Sequence, residues 1–126
     1  MEGNIVIYSR KSRFTGKGES IGNQTELCRE YIKFHFGEEA LEESSLYEDE
    51  GFSGGNLKRP GFQRMMAFVR KGGCRAIVVY RLDRISRNIS DFAGLIEELS
   101  ALGTAFISIR EQFDTGTPMG RAMMYI

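Results

Sequence analysis

The stretch Ile5-Val6-Ile7-Tyr8-Ser9-Arg10-Lys11-Ser12 decides the fold. Ile5, Val6 and Ile7 are β-branched and Tyr8 is aromatic, the residue types that favour a buried strand. The run then ends on two cations and a hydroxyl, which a strand interior disfavours. The carboxyl end of a central strand in an open α/β sheet accommodates them, because such folds bind their ligands there. A serine beside guanidinium groups can attack or bind a negatively charged group. Ser12 therefore reads as a nucleophile aimed at a phosphate.

The segments that follow alternate helix and strand. Residues 13–19 form a polar loop. Gly16-Lys17-Gly18-Glu19-Ser20 departs from the G-x-x-x-x-G-K-[ST] spacing, which excludes a Walker A loop. Ser20 can cap a helix reaching about Phe36, with an apolar stripe of Leu27, Tyr31 and Phe34 and with Cys28 alongside. Gly37 stops it. A short strand is expected over residues 45–48, then a glycine-rich loop over residues 49–56. Pro60 suits the first turn of a second helix, whose buried face is Phe62, Met65, Met66 and Val69 and whose stop is Gly72-Gly73. Residues 76–80 are strongly strand-like and run out into Arg81-Leu82-Asp83-Arg84-Ile85-Ser86-Arg87. Asn88 begins a third helix, with Asp91 in its first turn and Phe92, Leu95, Ile96, Leu99 and Leu102 on its apolar face. Gly103 ends that helix. A fourth strand over residues 104–109, a polar loop over residues 110–118 and the opening of a further helix over residues 119–126 complete the chain. The alternation implies an α/β fold, a mostly parallel central sheet of four to five strands with helices on both faces.

The totals bound the class. A length of 126 residues suits one domain, and 41% apolar with 27% charged residues suits a soluble globular protein. No apolar run reaches the length of a membrane span, and Met-Glu-Gly-Asn has no basic and then apolar leader, so the expected location is the cytoplasm. Cys28 and Cys74 fit no zinc or C-x-x-C pattern and read as buried thiols. The net charge of zero argues against a basic DNA-coating module. Acids crowd at Glu38, Glu39, Glu42, Glu43, Glu48, Asp49 and Glu50, which reads as a solvated face. Cations gather at Arg10, Lys11, Arg13 and Lys17 and again at Arg81, Arg84 and Arg87, at strand ends rather than along helix faces.

Strands one and three both end in arginine. In a parallel sheet those ends share one edge, which brings Arg10, Ser12, Asp83, Arg84 and Arg87 into one neighbourhood. Arg84 and Arg87 are three apart, so one turn points both the same way. Asp83 would be repelled by a phosphate; it either orients an arginine or accepts the serine proton. Lys11, between the two active positions, is expected to face the other way. The single histidine, His35, lies late in the first helix, which disfavours a Ser-His-Asp triad. Neither cysteine has an arginine six positions on, as a cysteine phosphatase loop needs, and no ligand cluster calls for a metal. What remains is phosphoryl transfer assisted by guanidinium groups.

The same residues carry a family resemblance. Tyr8-Ser9-Arg10-Lys11-Ser12 resembles the Y-x-R-x-S signature of the serine site-specific recombinases, the resolvase/invertase family. Ser20-Ile21-Gly22-Asn23-Gln24 resembles its S-x-x-x-Q segment. Asp49 to Gly54 with Arg59-Pro60-Gly61-Phe62 resembles the D-x-G-x-S-G…R-P-G-F block of the large serine recombinases of mobile elements. Leu82-Asp83-Arg84-Ile85-Ser86-Arg87-Asn88 resembles L-D-R-[IL]-[SG]-R-[ND], and Phe113-Asp114-Thr115 with Gly120-Arg121 resembles the end of the domain. The matches run in order through nearly the whole chain.

The resemblance implies a catalytic domain that ends near the start of a long dimerisation helix, with DNA-binding domains elsewhere. It implies that Ser12 attacks a DNA phosphodiester to give a 5′-phosphoserine bond and a free 3′-hydroxyl. Arg10, Arg84 and Arg87 would contact the phosphate, and Asp83, Arg59, Gln24 and Ser53 would support, orient or assist proton movement. The implied partners are double-stranded DNA at specific attachment sites and further copies of the protein, as a dimer and a synaptic tetramer. No cofactor, ATP or metal is implied, nor a membrane. Without the resemblance, Gln24 reads as a solvent-facing helix residue, Ser53 as a turn residue and Arg59 as a loop cation. The alternatives are a non-catalytic α/β regulatory or binding module and a serine-dependent phosphatase or nuclease. Mutual repulsion among the arginines predicts mobile loops at residues 13–19 and 50–58 when no phosphate is bound.

Overall fold

A computed structural model describes residues 3–11, 21–50, 59–85 and 89–116, and for Lys11, Ile21, Gly22, Glu50, Asp83 and Ile89 the backbone alone. Ser12, Ser53 and Arg87, the Asp83 and Lys11 side chains, and the loops expected to be mobile lie outside these described residues, save for the Glu50 backbone.

The first apolar run is the interior strand β1 (Asn4–Lys11). It pairs in parallel with β2 (Ser45–Glu50) on one side and β3 (Cys74–Val79) on the other. Then come β4 (Ala105–Ser108), parallel to β3, and the two-residue β5 (Phe113–Asp114), antiparallel to β4. The sheet order is β2-β1-β3-β4-β5. Parallel neighbours need crossovers. Helices α1 (Ile21–Phe36) and α2 (Glu38–Glu43) link β1 to β2. Helix α3 (Pro60–Arg70) lies between β2 and β3, and α4 (Ile89–Leu102) between β3 and β4. This is the mostly parallel, two-sided α/β sheet that the alternation predicts.

Strand alternation sends side chains to two cores. Val6, Tyr8, Ile77 and Val79 pack with Phe62, Met65, Met66 and Val69 of α3 and with Leu95 and Leu99 of α4. Ile5, Ile7, Ala76, Val78 and Ile107 pack with Cys28 and Ile32 of α1. Both cysteines are buried free thiols. Among the described residues, no helix is long and apolar enough to cross a membrane.

The structure departs from the sequence reading in several places, and β2 reaches Glu50 where the sequence predicts a loop from residue 49. β1 continues through Arg10 and Lys11, because β2 runs beside it with Arg10 opposite Asp49 and Lys11 opposite Glu50. The buried stripe of α1 is Gln24, Cys28 and Ile32, whereas Phe34 is 85% exposed. Two polar residues at the start of α1, Gln24 and Thr25, face the sheet and rotate the helix away from the stripe that an apolar count selects. α2 went unpredicted because its acids hide a stripe of only Ala40 and Leu41, packed against the second core. β5, within an expected loop, is too short to carry a periodic signal.

Candidate active site

The carboxyl ends of β1 and β3 lie side by side, with Tyr8 opposite Val79. Beyond β3 the chain forms a single 3-10 turn, Leu82–Arg84, closed by Arg84 N–H to Arg81 O at 3.1 Å and Ile85 N–H to Leu82 O at 3.0 Å. Three arginines meet here, all nearly excluded from solvent: Arg10 at 0%, Arg59 at 1% and Arg84 at 8% exposure. Buried cations need partners, and backbone carbonyls of the turn supply some of them. Arg10 Nε donates to Arg84 O at 3.2 Å. Arg59 Nη1 donates to the same oxygen at 2.9 Å, and Arg59 Nη2 donates to Ile85 O. Two guanidiniums thus clasp the backbone of the turn that carries Arg84.

Arg59 is held in turn by a second set of contacts. Its Nη1 also donates to the Tyr8 hydroxyl at 3.0 Å, and its guanidinium lies over the Tyr8 and Phe62 rings at 5.5 and 5.4 Å. The Tyr8 hydroxyl donates onward to Asp49 Oδ2 at 2.7 Å. Asp49 accepts two further bonds, from Gly61 N–H at 2.8 Å and Phe62 N–H at 2.9 Å. Those amides open α3, whose N-cap residue Arg59 makes no side-chain cap bond. Asp49 performs the capping from the neighbouring strand, where a negative charge also suits the positive end of the helix. Gly61 is required for this approach: a Cβ there would stand 2.5 Å from Glu48 O and 2.9 Å from each Asp49 oxygen. Burial, and then the bond to Asp49, hold the Tyr8 phenol protonated well above its ordinary range, although Arg59 and Arg10 pull the other way.

Gln24 completes the described part of the site. It is fully buried rather than solvent-facing, and its Nε2 donates to Arg10 O at 3.2 Å. Beside it, the Thr25 and Ser9 hydroxyls lie 3.2 Å apart, fastening α1 to the opposite face of β1. Arg59 is likewise no loop cation. The solvated reading of the acidic run holds for Glu38, Glu39, Glu42, Glu43 and Glu48, which are exposed, and fails for Asp49 at 5% exposure.

The structure therefore brings together Arg10, Arg84, Arg59 and Gln24 of the expected set. It adds Tyr8, Asp49 and Gly61, which sequence reasoning did not single out as working residues. A signal for Asp49 did exist. Strand alternation turns Tyr47 and Asp49 inward together, and a helix that opens on Arg59-Pro60, without Ser, Thr, Asp or Asn, needs an acceptor from elsewhere.

A family model described as "Resolvase, N terminal domain" matches residues 5–126. The chain is similar to the DNA-invertase hin of Salmonella typhimurium, 36% identical over 81 residues, covering 64% of this chain and 41% of that protein. It is similar to the Transposon Tn552 resolvase of Staphylococcus aureus, 38% identical over 76 residues, covering 59% of this chain and 38% of that protein. It thus spans about two fifths of the length of the curated relatives it matches. Among solved structures, the N-terminal catalytic domain of TP901-1 integrase superposes with a TM-score of 0.83 at 31% identity, covering 97% of this chain and 88% of that one.

Proposed function

The chain belongs to the resolvase family of serine recombinases through its N-terminal domain, and on that premise we propose that it carries out site-specific DNA recombination with Ser12 as the nucleophile. Ser12 Oγ attacks the phosphorus of a DNA phosphodiester, and the serine proton passes to a base. The bond to the 3′ oxygen breaks, and that oxygen takes up a proton to leave as a hydroxyl. The product is a 5′-phosphoserine ester. Rejoining runs the same steps in reverse from another strand's 3′-hydroxyl. One phosphoester replaces another, so the exchange draws on no ATP, and in this reading the guanidinium groups supply the charge stabilisation that a metal ion could otherwise give.

Arg10, Arg84 and Arg87 bind the non-bridging oxygens and offset the charge that builds on them as phosphorus becomes five-coordinate. Asp83 orients one of these arginines or takes the serine proton. Arg59 serves by clasping the turn, and Gln24 and Ser53 support the strand and loop that flank it. The observation that carries this reading is the joining of Arg10 to the Arg84 carbonyl at 3.2 Å, on the edge where β1 leads to Ser12.

The partners in this reading are double-stranded DNA at specific attachment sites and further copies of the protein, as a dimer and a synaptic tetramer whose subunits exchange DNA ends by rotation. A cytoplasmic location fits such a substrate. The zero net charge supports a division of labour in which most of the DNA affinity comes from residues other than these.

The test is to stop a reaction between the complete gene product and DNA bearing its sites with detergent. The expected products are 5′ ends that stay attached to protein and 3′ ends that a polymerase can extend. Steady turnover of a small phosphate ester without any protein–DNA adduct would favour a phosphatase or nuclease instead.

A further inference from the structure

The arginine-bearing turn is fastened at its start as well as at its end. After β4 the chain stays beside β3, with Ile109 N–H to Val79 O at 3.0 Å and Arg110 N–H to Tyr80 O at 2.9 Å. It then reverses sharply. Gln112 N–H bonds Ile109 O at 3.1 Å, and Gln112 adopts φ 55°, the only left-handed non-glycine residue among those described. Such a conformation is uncommon for a residue with a Cβ and marks a backbone held by its surroundings. The reversal sets the Glu111 carboxylate against the start of the 3-10 turn. Leu82 N–H lies 3.3 and 3.4 Å from its two oxygens, and the buried Ser108 hydroxyl donates to Oε1.

We propose that Glu111 is a positioning residue for the phosphate-binding arginines, acting through the backbone of the turn rather than on the substrate. The inference rests on the recombinase reading for its catalytic consequence. Three side chains from separate elements grip one turn. Glu111 takes the amide of Leu82 at its start, while Arg10 and Arg59 take the carbonyls of Arg84 and Ile85 at its end. With both ends held, the turn cannot pivot about its arginine-bound carbonyls, and the direction in which Arg84 leaves the backbone is fixed. Catalysis is sensitive to such small displacements, since an error of about 1 Å in a positioned group can cost on the order of a hundredfold in rate.

Glu111 is exposed, unlike Arg10 and Arg59. Its bond to the Leu82 amide, at the surface, therefore adds little to stability and acts mainly on geometry, while its bond to Ser108 satisfies a buried hydroxyl. A carboxylate this close to a phosphate site would otherwise repel the substrate, which leaves hydrogen-bond acceptance as its useful property. Glutamine keeps an acceptor oxygen at the same reach; alanine removes it.

The experiment compares Glu111→Ala and Glu111→Gln with the parent in the complete gene product. Single-turnover rates of covalent protein–DNA adduct formation are measured against DNA concentration, and Leu82 amide exchange is followed in the 126-residue chain. Glu111→Ala is expected to lower the saturating rate about tenfold to a hundredfold, with an unchanged half-saturating DNA concentration, a urea midpoint lowered only modestly by the loss of the Ser108 partner, and faster Leu82 exchange. Glu111→Gln is expected to keep the rate within about threefold of the parent and to retain slow Leu82 exchange. An alanine variant as fast as the parent, a glutamine variant as slow as alanine, or an effect on DNA affinity alone would overturn the proposal. Failure of the parent to form any adduct would instead count against the recombinase reading, with Leu82 exchange still deciding whether Glu111 holds the turn.

Discussion

At Asp49 one buried carboxylate meets three donors: the Tyr8 hydroxyl and the Gly61 and Phe62 amides. Asp49→Ala strands all three in the interior, and bonds to a charged group are each worth about 1.5–3 kcal/mol. With some relaxation, a loss of about 3 kcal/mol in unfolding free energy is expected, read from urea denaturation; a loss below about 1 kcal/mol would show that the contacts are incidental. Burial sets a second expectation. It pushes the Cys28 thiol from 9.0 up to about 12, and it raises the Tyr8 phenol in the same direction. The folded protein then holds protons that the unfolded chain releases first. This contribution is fully present below pH 9 and is lost as pH rises toward 12, at roughly 1.4 kcal/mol per pH unit for each such group. Denaturation midpoints are expected to stay level from pH 8 to about pH 9 and to fall from there to pH 11; midpoints that stay flat to pH 11 would contradict the burial. Arg10 and Arg84 were legible in the sequence because a cation next to a strand core is costly unless a ligand edge accepts it. Arg59 and Gln24 were legible only through the family signature. Their partners lie far along the chain, 51 residues for Arg59 with Tyr8 and 14 for Gln24 with Arg10, and local pattern carries no trace of such contacts.

The helix α3 docks where it does because its second residue has no side chain. In Arg59-Pro60-Gly61-Phe62 each residue has a separate task. Arg59 grips the turn, Pro60 opens the helix, Gly61 admits Asp49, and Phe62 meets the Tyr8 ring edge-on at 5.7 Å. Gly61→Ala is expected to push Asp49 and the Glu48 backbone away from α3, at a cost of about 1–3 kcal/mol. It should also slow DNA cleavage, because Asp49 braces Tyr8 and Arg59; a variant with parental stability and rate would contradict the close approach. The longer elements were legible because period two and period 3.6 persist over enough residues to be seen. The phase of α1 was not. Leu27, Tyr31 and Phe34 form a regular apolar series, yet the buried face follows Gln24, Thr25, Cys28 and Ile32, since polar groups that find partners on β1 can occupy the inward face.

Across the whole molecule, parallel strand order is what turns scattered signatures into one site. β1 and β3 are neighbours in the sheet although some sixty residues separate them in the chain, so their carboxyl ends deliver Arg10 and Arg84 to the same edge. The fold class was legible from the alternation of elements alone, whereas the clasp on the turn needed the folded chain. Charge acts at this scale too. With 17 basic and 17 acidic side chains, the 126-residue chain by itself is expected to bind DNA no more tightly than about 10⁻⁶ M at physiological salt. Tight, sequence-specific retardation by this chain alone in a gel shift would contradict that. The most direct measurement isolates the covalent protein–DNA adduct of the complete gene product, digests it, and maps the modified peptide by mass. A 5′-phosphate ester on Ser12, absent from Ser12→Ala, is the expected result; an ester on another residue, or cleavage that persists in Ser12→Ala, would contradict it.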